Sequence, residues 1–296
     1  MGHSLFPLHI AIDIFHMPLF FFISGITFHF KSGEDVGKVF LKKIERILIP
    51  LFFFTFLSGI FQIFLKPVDT TPFNGPLWFL NVIFGVLILY YLICYFSRNE
   101  ILKNALILFC TLIGFAFAYY NVKLFLDFDL ILVSMSFLHL GFLFKEEYKK
   151  MQLKKALILL VMSIFVYSIG LYFSIENGAN GAYLFRLYKY SFLFFYITSL
   201  SGILLILSIA KLFNKLPILN YLGKNSLIVL CVHFPLIQRL NVFVSETEIY
   251  NSGLSGKLLS GIGVYIITIL FSFLCIEFFK RYTPKLTGFQ TIFKSN

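Results

Sequence analysis

Three of the six histidines, His3, His9 and His16, fall within the first sixteen residues. Imidazole is the usual general base near neutral pH, so His3 and His16 are candidates for activating a hydroxyl. An imidazole in an apolar stretch serves equally well as an interfacial or helix–helix hydrogen-bonding group, because burial in lipid is costly unless it finds a polar partner. Ser24 and Gly25 follow at the end of "FHMPLFFFISG", a small-residue step that permits close helix approach. A second kind of chemistry is suggested by Lys42, Lys43 and Arg46 in "KKIER". Such cations bind phosphates through charge-assisted hydrogen bonds, and they also serve as the ordinary basic flank of a membrane span. Trp78 has the ring to stack on a sugar or an adenine, or to sit in an interfacial aromatic belt. Asn225 and Ser226 open the segment that carries His233 and Pro235, and Asn is a good helix N-cap. Ser24, Trp78, Asn225 and His233 are the candidates for contacting an acceptor substrate. His139 is read as structural, and Glu277 as a partner of Lys280 or Arg281. Cys94, Cys110, Cys231 and Cys275 show no CxxC or Cys/His spacing and are read as small apolar residues, so no metal site is expected.

The elements that must position these residues follow from composition. Of 296 residues 59% are hydrophobic, 20% aromatic and 13% charged, against about 45–50% apolar and about 25% charged in a soluble domain. Too few polar side chains exist to coat a globule, which excludes a soluble enzyme, a disordered chain and a nucleic-acid-binding module. The net charge of +11 sits in short clusters between apolar stretches. The expectation is one all-α domain over residues 1–296, a polytopic transmembrane helix bundle embedded in a lipid bilayer. Nine spans are predicted, near 14–30, 47–65, 77–96, 105–120, 130–144, 156–175, 190–210, 225–243 and 258–279, with 130–144 the shortest. Loops 31–46, 97–104, 145–155 and 211–224 and the tail 280–296 hold 19 of the 25 Lys and Arg. These basic loops alternate with poor ones, so the positive-inside rule predicts a cytoplasmic C-terminus and residues 1–13 at the outer face. Residues 1–14 carry no Lys or Arg, so no cleavable signal peptide is expected.

Four strings in order, "FHMPLFFFISG", "KKIERILIPLFFF", "PLWFLNVIFGVLILYYLI" and "LGKNSLIVLCVHFPLI", resemble the successive signatures of the acyltransferase-3 family, most closely its fucose-4-O-acetylase-like sugar O-acetyltransferases. The resemblance implies about ten membrane helices, the first of which ends in a His that follows an Arg by about eleven positions. His3 matches that His and is the implied catalytic base, with His16 second. The matching Arg would fall before Met1, so the expectation is a chain lacking most of the first family helix. Lys43 and Arg46 match the family's paired basic positions, with Lys where Arg is usual. Together with Lys42 they are the implied coenzyme site.

The implied activity is transfer of an acetyl or short acyl group from cytoplasmic acetyl-CoA to a sugar hydroxyl of a surface or secreted polysaccharide, in a bacterial inner membrane. That reaction needs a base for the alcohol, a donor for the thioester oxyanion and cations for the coenzyme phosphates. The competing reading from another class is a non-enzymatic transporter of a polysaccharide or small metabolite. Neither inverted repeats nor matched broken helices, the usual marks of a transporter, are visible in the sequence.

Overall fold

A computed structural model describes residues 6–31, 33–64, 75–176, 192–213, 216–290 and 292. The described residues form helices and connecting turns with no strand. In chain order the helices are α1 Phe6–Thr27, α2 Val36–Lys43, α3 Ile49–Phe64, α4 Trp78–Phe96, α5 Glu100–Tyr119, α6 Phe128–Lys150, α7 Leu153–Glu176, α8 Phe192–Leu212, α9 Pro217–Lys224, α10 Ser226–Ser245, α11 Glu248–Asn251 and α12 Leu254–Tyr282.

The all-α, many-span expectation holds. Among the described residues eight helical stretches are long and apolar enough to cross a membrane, and α1 supplies a ninth, shorter apolar helix over Ala11–Thr27. Several boundaries differ from the hydropathy reading, two of them with a visible cause. The first span ends at Thr27 rather than residue 30, and Lys145 Nζ donates to the carbonyl of Phe28 just beyond it (2.7 Å). The stretch expected to be shortest is the 23-residue α6. Its helix continues past the apolar run through Lys145, Glu146, Glu147, Lys149 and Lys150, which hydropathy discounts although all are good helix formers.

The helices group into two compact units that interleave in sequence, one from residues 1–32 and 85–215, the other from 33–84 and 216–296. In the first unit α1 packs along α6 and α8, α5 along α6, and α7 along α8. The α1–α6 contact is close because both sides lack a side chain where they meet. A Cβ on Gly25 would overlap the carbonyl oxygen of Leu138, and one on Gly141 the carbonyl oxygen of Phe22. The Ser24–Gly25 step does permit the close approach that its composition suggested.

In the second unit α10 packs on α12, and the turn Gly75–Leu77 packs on α10. Helices α2 and α3 form one continuous stretch interrupted by a π-turn at Ile44–Leu48, where the Ile49 N–H reaches back to the carbonyl of Ile44. The cause is Pro50, which has no N–H for the carbonyl four residues earlier, so the ladder is rerouted one turn upstream. Asp35 caps the start, its Oδ1 accepting from the N–H of Gly37 (2.8 Å).

Candidate functional site

The sequence-predicted residues divide between the units. His16 and Ser24 lie in the first, on α1, and Lys42, Lys43, Arg46, Trp78, Asn225 and His233 in the second. His3 lies outside the described residues.

Helix α1 is held along the stretch that carries His16. The Tyr167 hydroxyl of α7 donates to the carbonyl of Ala11, and the Ser199 hydroxyl of α8 donates to the carbonyl of Ile14 (2.6 Å). Phe15 meets the Tyr167 ring edge-on at 5.8 Å. Directly after these clamps His16 is half-buried, with its ring edge-on to Phe20 at 5.6 Å. Ser24 turns its hydroxyl back on its own helix and donates to the carbonyl of Phe20 (2.8 Å). Such i−4 bonding satisfies a hydroxyl without a second helix.

The basic run of the second unit gains its shape from the π-turn. Lys42 and Arg46 are exposed and Lys43 half-buried, while Glu45 between them is buried. Glu45 Oε1 accepts from the backbone N–H of Ile292 (2.7 Å), and Gly288 approaches the backbone of Arg46. The C-terminal segment therefore braces the turn from one side and leaves the cations on the other. Lys42 Nζ stands 3.8 Å from Glu34 Oε1, a surface pair of small worth that does not hinder an anion. The extra residue per turn shifts where successive side chains point, and π-turns recur at functional sites.

The turn that precedes Trp78 packs on α10, the helix that carries His233. Trp78 opens α4 directly after the turn Gly75–Leu77, and a Cβ on Gly75 would stand 3.5 Å from the ring of Phe234. Next to Phe234, His233 Nδ1 donates to the carbonyl of Val229 (2.8 Å). That tautomer leaves Nε2 with its lone pair available. Asn225 stands at the N-cap position of α10 but makes no cap, which corrects the expected capping role. Its Nδ2 donates to the carbonyl of Tyr221 (2.7 Å) at the end of α9. The reason is its backbone, at φ −113° and ψ 21°, which lies outside the extended region that a capping side chain uses. Glu277 meets Lys280 at 3.6 Å as expected, and it also accepts from the hydroxyl of Tyr221.

A family profile described as an acyltransferase domain matches residues 1–277. The chain belongs to the acyltransferase-3 family. No curated protein and no solved structure matches it.

Two features of this membrane acyltransferase are absent from the residue-by-residue reading. Asp13 lies three residues before His16 on α1 and is half-buried, as His16 is. Residues three apart share a helix face, and an acid inside an apolar helix is a functional signal in its own right. That signal is legible in "IDIFH". The second feature is a buried polar cluster. Tyr90 Oη and His139 Nδ1 are 2.9 Å apart, and both side chains are buried. Lys103, also buried, pairs with Glu100 at 2.5 Å and lies over the Phe142 ring at 5.7 Å. His139 therefore has the structural partner expected of it, supplied by α4. Among the described residues no group of three His, Cys, Asp or Glu comes together to hold a metal.

Proposed function

We propose that this acyltransferase is a membrane-embedded O-acyltransferase that moves an acetyl or short acyl group from cytoplasmic acyl-CoA to a sugar hydroxyl of a surface or secreted polysaccharide. The observation that carries the reading is the family match over residues 1–277. In support, Lys42 near the end of α2 and Arg46 on the braced π-turn that follows it are exposed cations, as a site for coenzyme phosphates requires. Lys43 adds a third charge, as a point cation in place of the bidentate fork of Arg.

His16 is the proposed base among the described residues, and His3 keeps the role that the family resemblance gives it. His16 takes the proton of the acceptor hydroxyl as oxygen attacks the thioester carbonyl, and the thiol of coenzyme A leaves. Asp13 on the same helix face orients the imidazole and stabilises its charged form. Trp78 and His233 form the proposed acceptor surface, with the ring of Trp78 stacking on the sugar. The basic run faces the cytoplasm, as the distribution of Lys and Arg over the loops indicates.

Purified protein given acetyl-CoA and a panel of soluble oligosaccharides tests this reading. Free coenzyme A should appear in step with acetylated sugar. Thiol release no faster than in buffer, with every acceptor and with none, overturns it.

A further inference from the structure

An opening in the second unit is lined by none of the residues of the basic run, and no role has been assigned to it. It is a slot of about 540 Å³ bounded by α3, α10 and α12. Phe53, Leu57 and Phe61 line it from α3, Pro235 and Leu236 from α10, and Phe271, Cys275 and Phe278 from α12. One charged side chain reaches it, Arg239 of α10.

The slot is elongated. Its lining runs from Phe53 to Phe61 on α3 and from Phe271 to Thr283 on α12, about 12 and about 18 Å at 1.5 Å per helical residue. The two ends differ. Phe53 and Phe54 meet Phe279 at 5.9 and 5.2 Å, which fixes one end near the start of α3 and the finish of α12. The Tyr221 hydroxyl of α9 donates to Glu277 and accepts from Lys280 Nζ (3.3 Å), on either side of Phe279, so α10 begins near that same end and runs away from it. Arg239 comes thirteen residues after Ser226, about 20 Å along the helix. The guanidinium therefore marks the far end, and the walls between are hydrocarbon and aromatic ring. The slot also opens sideways, because Phe61, Phe271 and Phe278 are 47%, 40% and 54% exposed on helices apolar enough to span a bilayer.

Each ligand class fits this shape differently. A sugar would find almost no hydrogen-bonding partners along the walls. An acetyl group is far too small for the volume, and the exposed cations of the basic run belong to the other end. A hydrocarbon chain fits the walls at no polar cost, and a guanidinium with five donors in a planar fork matches a phosphate in addition to its contacts within the protein. We propose that the slot binds a membrane lipid end-on to Arg239, with the phosphate of the lipid at the guanidinium and one hydrocarbon chain laid between α3, α10 and α12 toward Phe279. The lipid enters sideways from the bilayer. This site is independent of the transfer reaction and stands or falls separately from it.

The protein carries its own reporters. Cys231 and Cys275 line the slot, whereas Cys94 and Cys110 belong to the other unit. Protein in a neutral maltoside detergent is treated with N-ethylmaleimide, and alkylation at each cysteine is followed by peptide mass spectrometry. Dodecyl phosphate should slow alkylation of Cys275 at least about tenfold and leave Cys94 and Cys110 unchanged. Dodecanol should need about ten times the concentration for the same protection, the ratio expected when one charge-assisted hydrogen bond is missing. Arg239→Gln should erase the difference between the two compounds, and Arg239→Lys should keep part of it. Equal protection by dodecanol and dodecyl phosphate in the unaltered protein overturns the proposal, and that comparison needs no variant. Protection by acetyl-CoA or by inorganic phosphate at the same concentration also overturns it, because it would assign the slot to the donor or to a free anion.

Discussion

The two units solve the problem of packing in a membrane in opposite ways. In the first, α1 and α6 meet backbone to backbone through Gly25 and Gly141, and hydroxyls of α7 and α8 grip carbonyls of α1. In the second, α10 packs on α12 while large aromatic rings of α3 and α12 line a slot of about 540 Å³. The helix pair α6 and α10 differs in the same sense, 61% of the apolar stretch of α6 being buried against 11% in α10, although α7 of the first unit is buried to only 17%. Without a hydrophobic force between helices in lipid, small residues and interhelical hydrogen bonds provide rigidity, and along the slot rings of phenylalanine stand in their place. On the proposed function the first unit holds the reacting groups and the second admits ligands. Changes in the first should therefore appear in turnover or stability, and changes in the second in apparent affinities.

The largest expected effect is at the proposed base. His16→Ala should lower the acetyl transfer rate by about 10²–10⁴-fold with the melting temperature unchanged. Asp13→Asn should lose up to about 10⁴-fold, the scale seen when the carboxylate that orients a catalytic histidine is neutralised. If both variants raise KM for acetyl-CoA and leave kcat alone, the first unit is a binding unit and the contrast fails.

Arg46→Ala tests the other side of the contrast. Loss of one charge-assisted hydrogen bond to a coenzyme phosphate should weaken acetyl-CoA binding about ten- to a hundredfold, read by titration, with little change in thermal stability. Its exposure and the bracing of the turn through Glu45 rather than Arg46 set that expectation. An unchanged donor affinity removes the basic run from the coenzyme site.

The distribution of these effects explains what was legible in the sequence. Spans could be read because hydropathy adds along the chain, residue by residue, and among the described residues nine apolar helices occur where nine apolar runs stand. The end of α6 could not be read that way, because Lys145 to Lys150 continue the helix on propensity after hydropathy has stopped. The close α1–α6 contact was half legible: Ser24–Gly25 announced it, but its partner Gly141 lies 116 residues on, with nothing local to pair them. Glu45 looked like one more charge in a basic loop, and its inward turn depends on Pro50 and on a C-terminal segment 247 residues away. Asn225 shows the converse case, where a good capping residue took a backbone geometry that its neighbours imposed. His3, singled out by the resemblance, falls outside the described residues, so the proposed chemistry in the structure rests on His16.

The smallest effects sharpen the contrast most, because they involve the same substitution in both units. Gly25→Ala adds one methyl group where it would overlap the Leu138 carbonyl. Backbone must move to admit it, and overpacking of this kind costs about 1–3 kcal/mol. Gly261→Ala in α12 adds the same methyl group where nothing lies within 4 Å. There the change removes only the conformational freedom of glycine in a helix, which favours alanine by about 0.5–1 kcal/mol. Thermal unfolding in a neutral detergent should therefore show a fall for Gly25→Ala and no change or a slight rise for Gly261→Ala. Since the two substitutions share the same intrinsic helix gain, their difference measures interhelical contact alone. Equal shifts in the two variants would mean that α1 and α6 are no closer than the helices of the second unit, and the division between a rigid unit and an open one would collapse.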